Sequence, residues 1–104
     1  MKVVSVKVLI WLSGECASLI EVVEGIKKSG NETGLLLVQD GVFQADKGNP
    51  GSKTVVKLGV PLYAVRPHVE ERGLGGRLIS GVSLVDYLDM VDLVMDKYEK
   101  IISL

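Results

Sequence analysis

Leu35-Leu36-Leu37-Val38, followed at once by Gln39-Asp40-Gly41-Val42, is the stretch on which the fold turns. Four apolar residues without interruption read as a strand buried on both faces, since a strand with one wet face alternates polar and apolar positions. Such strands sit in parallel sheets, where each is joined to the next by a helical crossover. Helical segments are therefore required on either side of it. Upstream, Val3 to Trp11 is a second mostly apolar strand with Ser5 and Lys7 as its polar interruptions. Between the two strands, Ser13-Gly14-Glu15 looks like a helix start, with Ser13 as N-cap and an acid in the first turn. At 100° per residue Cys16, Leu19, Ile20, Val22, Val23 and Ile26 fall on one side of that helix, with Glu21, Glu24 and Lys28 opposite. Ser29-Gly30-Asn31 stops it.

Downstream, Asp40-Gly41 ends the strand and is placed to cap a short helix from Val42. Asp46 to Ser52, rich in Gly, reads as a surface loop, and Thr54 to Leu58 as one or two helical turns. Val60 to Val65 is a third strand with Pro61 near its start, and Pro67 to Arg72 a short helix that Gly73 stops. Val82 to Val85 is a fourth strand, and Asp86 caps a last helix that runs to about Ile102. This alternation predicts an α/β fold: a single three-layer domain over residues 1–104, with a mostly parallel sheet of about four strands flanked by helices.

Composition narrows the function classes. The 104 residues are 47% hydrophobic and 24% charged, which is globular material. Twelve Lys and Arg against 13 Asp and Glu give a net charge of -1, which offers no general footprint for nucleic acid or an anionic membrane. A single Cys makes neither an internal disulfide nor a multi-thiolate metal site, and it points to the cytoplasm over a secreted location. No targeting segment is expected: Lys7 interrupts the early apolar run, and Glu15 falls where a small-residue cleavage site would lie. The run Val8 to Leu12 is far short of the ~20 residues of a membrane span.

Several motifs reduce to ordinary roles. Gly51-Ser52-Lys53-Thr54 resembles the end of a P-loop, but Ser52 separates Gly from Lys and no strand precedes it. Gly73-Leu74-Gly75-Gly76 follows a helix and precedes a strand, the reverse of a dinucleotide fingerprint. Asp40 stands at a strand's carboxyl end, where open α/β sheets place ligands, yet Trp11-Leu12-Ser13 offers none of the acids a phospho-accepting receiver would want there. Helix capping accounts for Asp40. His68, the only His, has no second ligand nearby for a metal and reads as an exposed surface residue. Cys16 keeps two readings. In the first turn of a helix the macrodipole favours a thiolate, as in a persulfide-carrying cysteine; inside an apolar arc, the same residue is a small core hydrophobe. The last helix carries apolar residues from Tyr87 to Ile102 over an arc of roughly 160° at 100° per residue, with Leu93 out of place on the polar side. That is wider than the stripe of a little over ~100° that covers one sheet, so contact with a second surface is one reading and a deeply set helix the other.

The second half of the chain resembles the TusB/DsrH family of sulfur-relay proteins. The resemblance lies in Leu35-Leu36-Leu37-Val38-Gln39-Asp40-Gly41-Val42, Gly48-Asn49, Val60-Pro61-Leu62-Tyr63-Ala64-Val65, Glu71-Arg72-Gly73-Leu74, and Leu84-Val85-Asp86-Tyr87 with Asp89 and Val91. It implies a DsrE/DsrF-like fold and a subunit that assembles with DsrE-like and DsrF-like (TusD/TusC-like) partners, or with copies of itself. The complex would pass persulfide sulfur toward 2-thiolation of the tRNA wobble uridine or in dissimilatory sulfur oxidation. The chain's own part would be assembly, as a non-catalytic subunit needing no cofactor or metal, touching no nucleic acid and no membrane. In the family the main sulfur-carrying cysteine belongs to a partner. Where this subunit type has one, it lies near the end of the first helix, so Cys16, at the start, departs from the pattern. A flavodoxin-like domain binding a small ligand or nucleotide near Ser13, Asp40 and Arg66 is the alternative from another class.

Overall fold

A computed structural model describes residues 6–104 of the chain. Its strands are β1 (Lys7–Leu12), β2 (Glu32–Leu37), β3 (Leu62–Val65), β4 (Val82–Val85) and β5 (Lys100–Ser103). They form one sheet in the order β4-β3-β2-β1-β5, with every neighbouring pair parallel. Helix α1 (Leu19–Lys28) links β1 to β2; a 3-10 segment (Gln39–Ala45) and α2 (Gly51–Lys57) link β2 to β3. Helix α3 (Arg66–Glu71) leads toward β4, and α4 (Tyr87–Asp92) continues as a π turn (Leu93–Lys97) into β5. The expected strand at Val3 to Trp11 begins at Lys7; residues 1–5 of the chain lie outside the described residues.

The strands alternate, and each face has its own core. Ile10, Leu12, Leu35, Leu37, Leu62 and Ala64 point to one side, where α1, the 3-10 segment, α2 and α3 cover them. Leu9, Leu36, Val38, Tyr63, Val65 and Val85 point to the other, against Leu93 and Tyr98. Burial on both faces is what the uninterrupted Leu35 to Val38 run required.

Several expected boundaries move, and those of the first and last helices change the fold most. The first helix starts at Leu19, with Ser18 and not Ser13 at the N-cap position. The Val38 N–H donates to the Leu12 carbonyl at 3.0 Å, and Gly41 sits where a Cβ would run into that carbonyl, so the chain leaving β1 runs close against the start of the 3-10 segment. Gly14 and two serines in this stretch are poor helix formers in any case. The second change is larger: the sheet has five strands, and the expected last helix does not reach Ile102. The Tyr98 N–H donates to the Leu93 carbonyl at 2.9 Å, the wider spacing of a π turn. Leu93, outside the expected apolar arc, is buried with Met90 and Val94 packed against the same core. The Glu99 N–H then donates to the Lys7 carbonyl at 2.8 Å, and Ile101 and Ile102 pair with Leu9 and Ile10 of β1.

Tyr98 anchors the change. Its hydroxyl occupies the space that a Cβ at position 34 would need, so only Gly34 fits beneath it. The Tyr98 and Tyr63 hydroxyls lie 3.3 Å apart, with the rings edge to face at 6.2 Å. Burial, then the Tyr63 hydroxyl, pushes the Tyr98 phenol above its ordinary range. The expected loop from Asp46 holds its first turn by similar means. The Asp46 carboxylate accepts the Gly48 N–H at 3.0 Å and pairs with the Arg77 guanidinium at 3.1 Å, which keep its carboxyl below the usual range. Helix α2 starts within that expected loop, at Gly51, whose N–H donates to Asn49 Oδ1 at 2.9 Å.

Candidate functional site

Cys16 lies in the stretch 13–18 between β1 and α1, ahead of the first helical turn. Its carbonyl accepts the Leu19 N–H at 3.3 Å, and its Sγ is 3.4 Å from the Ser18 hydroxyl. The sulfur is half-buried and packs against the core on the α1 side of the sheet. A cavity of about 600 Å³ opens beside it, lined by Leu12, Glu15, Ile20, Gln44 and Thr54 among others. Both readings of Cys16 therefore need adjusting. It is not a first-turn residue of the helix, and it is not sealed in the core. It is a thiol on a loop at the edge of a groove.

The carboxyl ends of β2, β3 and β4 gather the charged residues. Asp40 pairs with Arg72 (Oδ1 to Nε, 3.1 Å), and Arg66 with Asp86 (Nε to Oδ1, 3.2 Å). Asp40 makes no capping bond to the 3-10 segment; the N-cap position there belongs to Val38. Ser13 is exposed, its hydroxyl 3.5 Å from the Leu104 carbonyl. Of the three residues proposed for a ligand crevice, Asp40 and Arg66 are thus engaged with opposite charges.

His68 is the residue that composition and spacing undervalued. It is half-buried, and its Nδ1 accepts the backbone N–H of Gln39 at 2.8 Å. Gln39 holds φ at +48°, a left-handed conformation that few side-chain-bearing residues adopt. The other ring nitrogen is 3.3 Å from the Tyr87 hydroxyl. With Nδ1 accepting, the neutral imidazole carries its proton on Nε2 and donates it to that hydroxyl. The signal available in the sequence was position: His68 lies in the first turn of the helix after a parallel strand, where side chains of neighbouring connections meet.

Helix α4 has Asp86 as N-cap, and the Asp86 N–H donates to Asp89 Oδ2 at 3.1 Å. Its exposed side carries an apolar stripe beside Asp89 and Asp92. Leu88 is 82% exposed, Met95 on the following π turn 74%, and Val91 52%. Leu88, Val91 and Met95 stand three and four residues apart, so they form one stripe. Among the described residues no three His, Cys, Asp or Glu side chains are grouped to hold a metal ion, and no helix is long and apolar enough to cross a membrane.

A family described as DsrH like protein matches residues 15–100. The chain belongs to the TusB/DsrH family. Protein TusB of Salmonella dublin is 34% identical over 80 residues, which is 77% of this chain and 84% of that protein. Protein TusB of Photorhabdus laumondii is 32% identical over 66 residues, 64% of this chain and 70% of that protein. In three dimensions the chain is similar to the ychN protein from E. coli, with a TM-score of 0.74 over 97% of this chain and 100% of that one. At 15% identity, that likeness concerns the fold alone.

The match to the DsrH-like family starts well ahead of Leu35 and takes in the Cys16 loop. Within it, the segments that resemble the family are tied to one another. The Asp40–Arg72 pair joins Gln39-Asp40-Gly41-Val42 to Glu71-Arg72-Gly73-Leu74. Gly73 takes the left-handed turn (φ +67°) that ends α3, and Asp86 starts α4 while holding Arg66. These residues build and link the strand-end turns.

Proposed function

We propose that this member of the TusB/DsrH family is a cytoplasmic subunit of a sulfur-relay complex and that its main contribution is assembly. The observation that carries this reading is the exposed Leu88, Val91 and Met95 stripe on a chain of this family. Contiguous apolar surface of that kind marks protein contact sites. The partners are DsrE-like and DsrF-like subunits, or further copies of the chain where these are missing. The sulfur passes toward 2-thiolation of the tRNA wobble uridine or through dissimilatory sulfur oxidation. Deleting the gene is expected to lower either the 2-thiouridine content of tRNA or growth on reduced sulfur. A deletion strain unchanged in both would contradict the proposal.

Cys16 is the residue through which the chain would itself carry sulfur. Its thiolate would attack the outer sulfur of a donor cysteine persulfide. A new S–S bond forms at Cys16, the donor's S–S bond breaks, and the electron pair leaves on the donor thiolate. The half-buried position and the adjoining groove support this role, since the thiol is reachable by a partner while a persulfide there is partly shielded from water. Incubation with a cysteine desulfurase and cysteine should add the mass of one sulfur atom to the wild type and none to Cys16→Ser. A Cys16→Ser variant that supports full relay would reduce Cys16 to a packing residue.

A further inference from the structure

The exposed stripe of Leu88, Val91 and Met95 has two unlike flanks. On one side stands Tyr87, 51% exposed, with its hydroxyl toward His68 of α3. On the other side of Leu88, at 100° per residue, fall Asp89 and Asp92, and Asp96 follows Met95 in the π turn; all three are exposed. Asp92 and Asp96 make no ion pair among the described residues. A two-fold contact of stripe on stripe fits such a ridge poorly. Antiparallel helices would set the acids of one copy against those of the other, and parallel helices would press them onto Tyr87 and Val91. Like charges brought together, or carboxylates buried on apolar side chains, oppose association.

The complement lies on the other face of the sheet. Between α1 and α2 runs a groove of about 320 Å³ with Ile20, Val23 and Leu58 as its apolar lining. Ile20 is 42% exposed there. Lys27 and Lys57 stand at its rim, and Lys53 lies one turn before Lys57 on the outer side of α2. Lys53 and Lys57 are exposed and, like the acids of the ridge, make no ion pair among the described residues. Lys27 Nζ donates to the Leu58 carbonyl at 2.9 Å, and Glu24 is the one carboxylate in the lining. An apolar groove edged with lysines thus backs onto an apolar ridge edged with aspartates, with the sheet between them.

We propose that the α4 ridge of one copy of this chain seats in the α1–α2 groove of the next, apolar side chains on Ile20 and Leu58 and Asp92 and Asp96 against Lys57 and Lys53. The inference rests on the assembly reading of the stripe and names its occupant when the chain is alone: a second copy, engaged through a different surface. Because ridge and groove lie on opposite faces of the sheet, two copies in contact leave one of each open. The contact therefore repeats head to tail until a ring of three or more copies closes.

Size exclusion with light scattering on the full chain alone, at low salt and over a range of protein concentrations, tests this. The wild type should reach the mass of at least three chains at high concentration and lose mass as salt is added. Asp92→Lys/Asp96→Lys and Lys53→Glu/Lys57→Glu should each weaken association at least ten-fold while melting within a few degrees of the wild type. The chain carrying all four substitutions, with the charges exchanged between ridge and groove, should associate again, which a folding defect would not allow. A wild type that stays monomeric or stops at a dimer at every concentration, or a four-substitution chain no better than either pair, overturns the proposal. A chain that is monomeric alone yet joins DsrE-like and DsrF-like subunits overturns it and leaves the assembly reading standing; failure in both settings removes that reading too.

Discussion

Gly41 shows how a single atom sets the carboxyl end of the sheet. A methyl group there would run into the Leu12 carbonyl, which is backbone and cannot swing aside. Gly41→Ala should therefore cost about 1–3 kcal/mol, the usual cost of forcing extra volume into a packed position, measured by urea unfolding. The neighbouring Asp40–Arg72 pair is worth much less: the Asp40 side chain is mostly exposed, so Asp40→Ala should cost under about 1 kcal/mol. Tyr98 behaves differently again. Its phenol is held above the ordinary value near 10, so the folded state favours the neutral form. That contribution is complete below the ordinary phenol value and is lost as pH climbs above it. The wild type should lose stability in alkaline titration beyond about pH 10. Tyr98→Phe should lose less over that range, while starting about 1 kcal/mol lower because Tyr63 has lost its buried partner.

Local elements were legible where one physical signal dominated. The Leu35 to Val38 run located β2, and through it the parallel sheet; Val82 to Val85 is β4 residue for residue. Ser13 misled because a second serine, Ser18, takes the N-cap position and makes no side-chain capping bond there, so capping chemistry did not choose between them. The last helix misled for a related reason. Ile101 and Ile102 fit a helical arc as well as a strand, and only the π turn at Leu93 and the open β1 edge decide between them. The shorter helix still exposes the Leu88, Val91 and Met95 stripe, although Tyr98, Ile101 and Ile102 leave the arc. These exposed side chains contribute little to folding. Leu88→Glu and Met95→Glu should keep the wild-type circular dichroism spectrum and melting temperature within a few degrees, because surface substitutions stay within about 0.5 kcal/mol. Their effect should fall on assembly alone.

Across the whole molecule, function was legible only through resemblance. Net charge, the lone cysteine and the strand-end residues excluded several chemistries without naming one. His68 was passed over because its partners, Gln39 and Tyr87, come from connections distant in sequence. Cys16 drew notice as the sole thiol, but its place on a loop beside a groove needed coordinates. The family-like segments are bound together at one end of the sheet, and α4 carries an exposed apolar stripe. The direct test is the solution mass of the chain co-expressed with the DsrE-like and DsrF-like proteins of its own genome, by size exclusion with light scattering. The account predicts one complex containing all three, from which a Leu88→Glu/Met95→Glu chain drops out. A chain that elutes as a free monomer beside those proteins, in wild-type form, would contradict it.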